Sequence, residues 1–420
     1  MIRELPDCPD HQQNGTFKNN VGYAYEDQHD LGTSWKESAT TMNVLLLNYE
    51  YPPVGGGGGY VSHNVAKTLV GRGHAVTVVT ATYRNLPAKE DRDGVIIYRL
   101  PSLRKKMERT TSFEMLTYVI LCYLFLMIFR MRGRRFDVAH IHFALPTGLL
   151  GPWVRLLFGI NYLLTIHGTD LPGNDATRFK LSHEISRPFL IFSLGNAACI
   201  TTVTPHLKEL AYNVIQRDDI VIIPNGVNTE LFYPRNLGRT NSLIFVGRLI
   251  PIKSPEFIVA AIPSIAHEIR GVKLRIGGDG YLREPLERMV RDKNIPDHVE
   301  FMKWIDHEKL PTFYSTGRVF ISIQKHDNFG SLAMLEAMAC GLPVIASMVG
   351  DTGKQVVNGQ TGFTIKLDDH DEFVDKVSYL LTHPEECERM GQEASTMIRK
   401  NYSWENITTR YEELLRKISR

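Results

Sequence analysis

Residues Asn328–Ser347, NFGSLAMLEAMACGLPVIAS, hold the pattern from which the fold is read. A loop carrying Asp327, Asn328, Phe329 and Gly330 leads through Ser331 into a short apolar helix in which Glu336 is the one charged residue. Gly341 and Pro343 close it, and Val344-Ile345-Ala346 follows as a strand of the buried type. The first turn of such a helix has backbone N–H groups without intrahelical acceptors, which together with the helix dipole favour a bound phosphate. Glu336 shares its face with Leu332, Ala333, Ala339 and Cys340. A carboxylate among such neighbours is costly to bury unless hydroxyls or a charge partner satisfy it. Phosphate at the loop and sugar hydroxyls at the carboxylate describe a nucleotide-sugar. The competing reading is a salt-bridged Glu in an ordinary α/β helix.

Working outward, the same alternation of short apolar strands and helices runs through the chain. Strands are predicted at Val44–Leu47, Ala75–Thr80, Ile96–Arg99, Val138–His142, Tyr162–Ile166, Cys199–Val203 and Val221–Ile223. After a stretch rich in Asn, Pro and Gly between Asn225 and Ser242, they resume at Ser242–Gly247, Lys273–Gly277, Val299–Phe301, Val319–Ser322 and Val344–Ala346. Continuous apolar strands with helical crossovers imply parallel sheets covered on both faces. The predicted organisation is two Rossmann-like, doubly wound domains, 42–232 and 242–397, joined by a linker at 233–241. A final segment, 398–420, crosses back to the first domain. Ligands of such sheets bind outside the carboxyl ends of the strands, so the cleft between the domains is the expected site.

Composition narrows the class. Hydrophobic residues make up 43% of the 420-residue chain and charged residues 22%, as in an ordinary soluble protein. A net charge of +2 offers no electrostatic case for nucleic acid. The five cysteines lie far apart and show no metal-ligand spacing, so neither a disulfide framework nor a structural zinc is indicated, and no bound metal is expected. Residues 1–41 are polar and read as a disordered tail. The apolar run Met115–Phe129 is shorter than the roughly 20 residues of a membrane span. Basic clusters flank it: Arg104, Lys105, Lys106 and Arg109 before, and Arg130, Arg132, Arg134 and Arg135 after. It reads either as a buried helix or as a helix lying on an anionic membrane leaflet.

Four further segments carry chemistry. The glycines Gly55–Gly59 follow the first strand and lead into a helix, a turn that lets backbone and ligand come close. His167 ends an apolar strand in Leu164-Thr165-Ile166-His167-Gly168-Thr169-Asp170. Gly247, Arg248 and Lys253 follow the first strand of the second domain, where a guanidinium fork and a point charge suit a diphosphate. Gly277-Gly278-Asp279-Gly280 is another strand-ending turn, suited to close approach of a base or ribose and equally to an ordinary turn.

These segments, with Ile223-Pro224-Asn225-Gly226-Val227-Asn228 leading to Phe232, occur in the order seen in family 4 of the glycosyltransferases. From about residue 43 to 415 the chain resembles that family of retaining, nucleotide-sugar-dependent enzymes of GT-B fold. The resemblance implies that Arg248 and Lys253 hold the donor diphosphate, that Glu336 binds the nucleotide ribose, and that Gly330 and Ser331 offer N–H groups to phosphate. It places Gly278, Asp327 and Phe329 in the donor site, His167 at the transferring sugar, Gly55, Gly56 and Gly57 between donor and acceptor, and Asp170 on the acceptor side. Trp404 falls in a Ser-Trp-Glu motif that starts the final helix. His167, Asp327, Arg248 and Lys253 become the candidate catalytic set. Two departures stand out. One extra residue separates Gly330 from Glu336, so that either Asp327 or Asn328 takes the family's first acidic position. Gln355 stands near a place where the family has Glu. The implied activity is transfer of a hexose from a UDP- or GDP-linked donor to a hydroxyl of a glycan or lipid-linked acceptor, in cell-surface glycan or glycolipid synthesis. No cofactor is implied beyond the donor. The apolar run Met115–Phe129 and its basic flanks, in the domain expected to bind the acceptor, lead to the expectation of a cytoplasmic protein peripheral on the inner face of the membrane. A nucleotide-sugar epimerase of the same fold and a non-catalytic scaffold subunit are the alternatives.

Overall fold

The computed structural model describes residues 40–106, 110–168, 171, 180–235, 237–326 and 331–419, with the side chains of 180–185 excepted. The tail at 1–39, Arg109, Asp170, Asp327, Asn328, Phe329 and Gly330 therefore lie outside the described residues.

Two sheets organise the chain. The first contains β1 Asn43–Leu47, β2 Ala75–Ala81, β3 Lys89–Arg92, β4 Val95–Leu100, β5 Val138–His142, β6 Tyr162–Ile166, β7 Cys199–Thr202 and β8 Ile220–Ile222, in the spatial order β3-β4-β2-β1-β5-β6-β7-β8. The second contains β9 Ser242–Val246, β10 Lys273–Gly277, β11 Val299–Phe301, β12 Val319–Ser322, β13 Val344–Ser347 and β14 Gly362–Ile365, in the order β11-β10-β9-β12-β13-β14. Neighbouring strands pair parallel, with one exception: β3 runs antiparallel to β4. The central strands are buried on both faces, which is why they read as unbroken apolar runs.

The purely parallel expectation missed β3 for a clear reason. Its residues, KEDR, are polar because it is an edge, and Asp93 and Gly94 both take positive φ, 53° and 77°, in the tight turn to β4. β14 was also missed. Its glycine, Gly362, is left-handed at φ 151° and lies against Val344 of β13.

In each sheet the strand order reverses beside one strand, β1 in the first and β9 in the second. The glycine turn follows β1 and Arg248 follows β9, so both candidate loops sit at topological switch points.

The helix Ser112–Met131 is longer than the apolar run suggested, because a capping box starts it early: Glu114 N donates to Thr111 Oγ1 at 3.3 Å, and Thr111 N donates to Glu114 Oε2 at 2.8 Å. Tyr118, Cys122, Leu126 and Phe129 form its buried stripe in the first domain's core, and Tyr118 OH donates to Val79 O at 2.9 Å. The opposite face is apolar too and stays exposed, with Phe113 64% accessible, Leu116 55%, Ile120 51% and Leu124 49%. Length and composition would let this helix cross a membrane, yet one stripe is fixed to the sheet. Arg104 does not belong to a solvated basic cluster. It is buried and faces Glu50, with 3.8 Å between Nη2 and Oε1.

The chain returns to the first domain through the helix Trp404–Ile418, whose Ile407, Tyr411 and Leu415 share a core with Val44, Val65 and Leu69. Glu412 locks it there, accepting from Arg72 Nη1 at 2.8 Å and Arg416 Nη2 at 2.7 Å, with His74 Nε2 3.0 Å away. Where the two crossings of the chain meet, Val227 N donates to Tyr402 O at 2.7 Å and Trp404 N to Val227 O at 3.2 Å. Gly226 is needed beside them: a Cβ there would lie 2.6 Å from the Trp404 ring.

Candidate active site

The glycine turn is built by Glu50, just past β1. Its Oε2 accepts from Gly56 N at 2.9 Å, and Gly55 takes φ 98°, where any Cβ would strike the Glu50 side chain. Gly57 opens the helix Gly57–Gly71. A Cβ on Gly57 would be 3.4 Å from Leu332 Cδ1 of the second domain, and one on Gly58 would meet the Phe143 ring and come 3.3 Å from His167 Cγ. The turn therefore lies between His167 and the start of the helix Leu332–Ala339.

His167 is half-buried at the carboxyl end of β6. Its Nε2 lies 2.9 Å from His142 Nδ1, and Phe143 packs on its ring at 4.7 Å between centroids. Burial lowers its pKa to about 3, so the imidazole is neutral at physiological pH and acts through hydrogen bonds rather than charge.

At the carboxyl end of β9, Gly247 N donates to Gly277 O at 3.0 Å and Leu249 N to Asp279 O at 2.9 Å, which interlocks the two glycine turns. Gly278, at φ 127°, lies directly against Gly247 O. Arg248 is exposed. Lys253 Nζ donates to Gln324 Oε1 at 3.1 Å; Gln324 is buried, and its backbone N–H and C=O both bond the Ser347 hydroxyl at 2.8 Å. Burial first and the charge of Arg248 second lower the Lys253 amine to about 7. An ammonium held at such a cost is poised for an anion.

Ser331 caps the helix Leu332–Ala339, its Oγ accepting from Met334 N at 3.4 Å. One turn on, Glu336 is buried and doubly bonded: His307 Nε2 lies 2.9 Å from Oε1 and Tyr314 OH donates to Oε2 at 3.1 Å. The His307 ring in turn stacks on Tyr60 of the glycine-turn helix, with 4.9 Å between centroids and 30° between planes. Through these contacts both domains reach the carboxylate.

Of the expected residues, the structure brings Gly57, His167 and Ser331 to one cleft lip and links Glu336 to it through His307 and Tyr60. Arg248, Lys253 and Gly278 gather at the end of β9. Gln355 is buried, away from any charged partner among the described contacts. Sequence reasoning passed over His142, Gln324, Glu50, His307, Tyr314 and Tyr60. His142, Gln324 and Glu50 share a signal that was available: each is a polar residue at or just past the carboxyl end of an apolar strand. His307, Tyr314 and Tyr60 carried none, because each matters only through a contact distant in sequence. Among the described residues no group of three His, Cys, Asp or Glu side chains is placed to hold a metal ion.

Comparison with known proteins bears on the family and the fold. The model of Glycosyltransferase Family 4 matches residues 55–231, and that of Glycosyl transferases group 1 matches 230–397. An uncharacterized glycosyltransferase of Methanocaldococcus jannaschii is 28% identical over 379 residues, covering 89% of this chain and 99% of its own. A GDP-mannose-dependent alpha-(1-6)-phosphatidylinositol monomannoside mannosyltransferase of Mycolicibacterium smegmatis is 25% identical, covering 89% and 98%. Among solved structures, sucrose-phosphate synthase from Thermosynechococcus elongatus superposes with a TM-score of 0.75 over 90% of this chain and 98% of that one at 24% identity, a likeness of fold.

Proposed function

We propose, for a chain that belongs to glycosyltransferase family 4 and has the GT-B fold, that it moves a hexose from a nucleotide diphosphate sugar to a lipid-linked or membrane-proximal glycan acceptor with retained configuration. The observation that carries the reading is the placement of Lys253 beside Arg248 at the end of β9, its amine lowered to about 7 by burial and by that neighbour. Positive charge in such a place favours the charge that grows on a leaving diphosphate, which is electrostatic catalysis. The leaving oxygen, on this reading, takes the acceptor proton on the same face, so no hydrolase-type pair of carboxylates is required. Arg248 and Lys253 then do the work of neutralising the diphosphate, and no metal ion is invoked. Glu336 meets the ribose, exchanging the His307 or Tyr314 bond for hydroxyls. The neutral imidazole of His167 meets the transferring sugar.

The acceptor side rests on the first domain. The exposed apolar face of the helix Ser112–Met131 is followed by Arg132, Arg134 and Arg135, all exposed, a combination suited to the surface of an anionic leaflet. We place the protein peripherally on the cytoplasmic face. The mycolicibacterial relative, whose name specifies GDP-mannose and a phosphatidylinositol mannoside, supports a donor and an acceptor of these classes.

The test is a transfer assay on the purified protein with a panel of UDP- and GDP-sugars and extracted membrane lipids, with the anomeric configuration of the product read by NMR. Glycolipid formation with the donor's own configuration is the expected result. An inverted product contradicts the mechanism. Conversion of donor into another nucleotide-sugar without acceptor contradicts the transfer itself.

A further inference from the structure

His142 and His167 make a contact that assigns a proton. Their nitrogens Nδ1 and Nε2 are 2.9 Å apart and their rings are 13° from parallel. Burial keeps both imidazoles neutral at physiological pH, His142 also through the neighbouring His140 and His167. Between two neutral rings, one nitrogen donates and the other accepts.

The surroundings decide which. His142 is fully buried, and its Nε2 has no partner among the described residues. His140 packs beside it with 4.1 Å between centroids and turns its own Nε2 away, to Thr165 Oγ1 at 2.8 Å. Were His167 the donor, His142 would carry its proton on Nε2 and bury an N–H with nothing to accept it. Were His142 the donor, only a lone pair would be left bare. Buried donors without acceptors are the rarer and costlier case.

We propose that His142 is a positioning residue that fixes the tautomer of His167: His142 Nδ1–H donates to His167 Nε2, so that His167 holds its own proton on Nδ1 and offers it as a hydrogen-bond donor in the cleft. Phe143 and the bare backbone of Gly58 pack on the His167 ring and hold its plane. The Nδ1–H then donates to a hydroxyl of the transferring sugar. This last step rests on the reading of the site given above; the tautomer itself does not.

The experiment separates the two. Full-length protein labelled with 15N-histidine is examined by long-range 1H–15N correlation, and the signals of His167 are identified by their loss in His167→Gln. The expected spectrum at neutral pH shows a protonated Nδ1 and an unprotonated Nε2 at His167. His142→Leu should shift His167 towards the Nε2–H form and lower kcat about tenfold or more with little change in donor KM, the size of one lost hydrogen bond in the transition state. His142→Asn, whose amide N–H can still donate, should keep the Nδ1–H form and recover part of kcat. A protonated Nε2 on wild-type His167, or an unchanged tautomer in His142→Leu, overturns the proposal. An unchanged kcat in His142→Leu with the tautomer shifted overturns the sugar contact alone. Should His142→Leu fail to fold, the wild-type spectrum and His142→Asn still decide.

Discussion

At the scale of single residues, two side chains bear the argument. Lys253 is held near half protonation at neutral pH by burial and by Arg248. A bound diphosphate adds opposite charge and raises its pKa, so binding should draw in a proton. Calorimetry of nucleoside diphosphate binding at pH 7.5–8, repeated in buffers of different ionisation enthalpy, should show uptake of roughly half a proton to one. Lys253→Arg, permanently charged, should show none; equal uptake in the variant contradicts the assignment. The same shift has a stability consequence. The folded amine titrates near 7 and the unfolded one near its ordinary 10.5, so the unfolded chain binds more protons between those values. Stability therefore gains from this group as pH rises through that window, and Lys253→Met should flatten the gain in melting curves. Glu336→Ala should weaken donor binding by about 1.5–3 kcal/mol, the range of a hydrogen bond to a charged group. Melting curves control for the bonds to His307 and Tyr314 that it also removes. A folded variant with unchanged donor affinity would sink the ribose role.

Among the elements, the helix Ser112–Met131 carries the proposed membrane placement. Its inner stripe is committed to the sheet through Tyr118, Cys122, Leu126 and Phe129, so only the outer face is available to a membrane. Each Lys or Arg near an anionic leaflet adds about 1 kcal/mol, fading within a Debye length. Co-sedimentation with anionic vesicles should fall with salt and weaken in the combined Arg132, Arg134 and Arg135→Gln variant. Replacing Leu116, Ile120 and Leu124 by Ser should weaken it at every salt concentration while leaving the melting point almost unchanged, because those side chains are exposed. A wild type that stays in the supernatant at low salt contradicts the membrane placement and leaves the transferase reading standing. Arg104 is left out of this set, since its guanidinium faces Glu50 within the domain.

At the scale of the whole molecule, the two-sheet plan was legible because strands buried on both faces cannot hide: Val44–Leu47 and Val344–Ala346 have no polar position to break the run. The edge strand β3 was illegible by the same logic, since a solvated edge of Lys, Glu, Asp and Arg resembles a loop until the Asp93-Gly94 turn is given its weight. Glycines, His167, Arg248 and Lys253 stood out because the carboxyl end of a strand is where this architecture binds. Their supports did not. Gln324 orients Lys253 from just past β12, and Tyr60 reaches His307 across the domains, contacts that no local spacing announces.

On the reading proposed above, a nucleotide diphosphate sugar binds between the domains, on Lys253, Arg248 and Glu336. A thermal-shift panel of UDP, GDP, ADP and their sugars tests it most directly, since a ligand that binds only the folded chain raises the melting midpoint, by about 2.7 kcal/mol of stability at a hundredfold excess over Kd. One nucleoside diphosphate and its sugar should raise the midpoint of the wild type, and Lys253→Ala and Glu336→Ala should each lose most of that rise. A midpoint unmoved by every nucleotide, or raised in both variants as much as in the wild type, would contradict it.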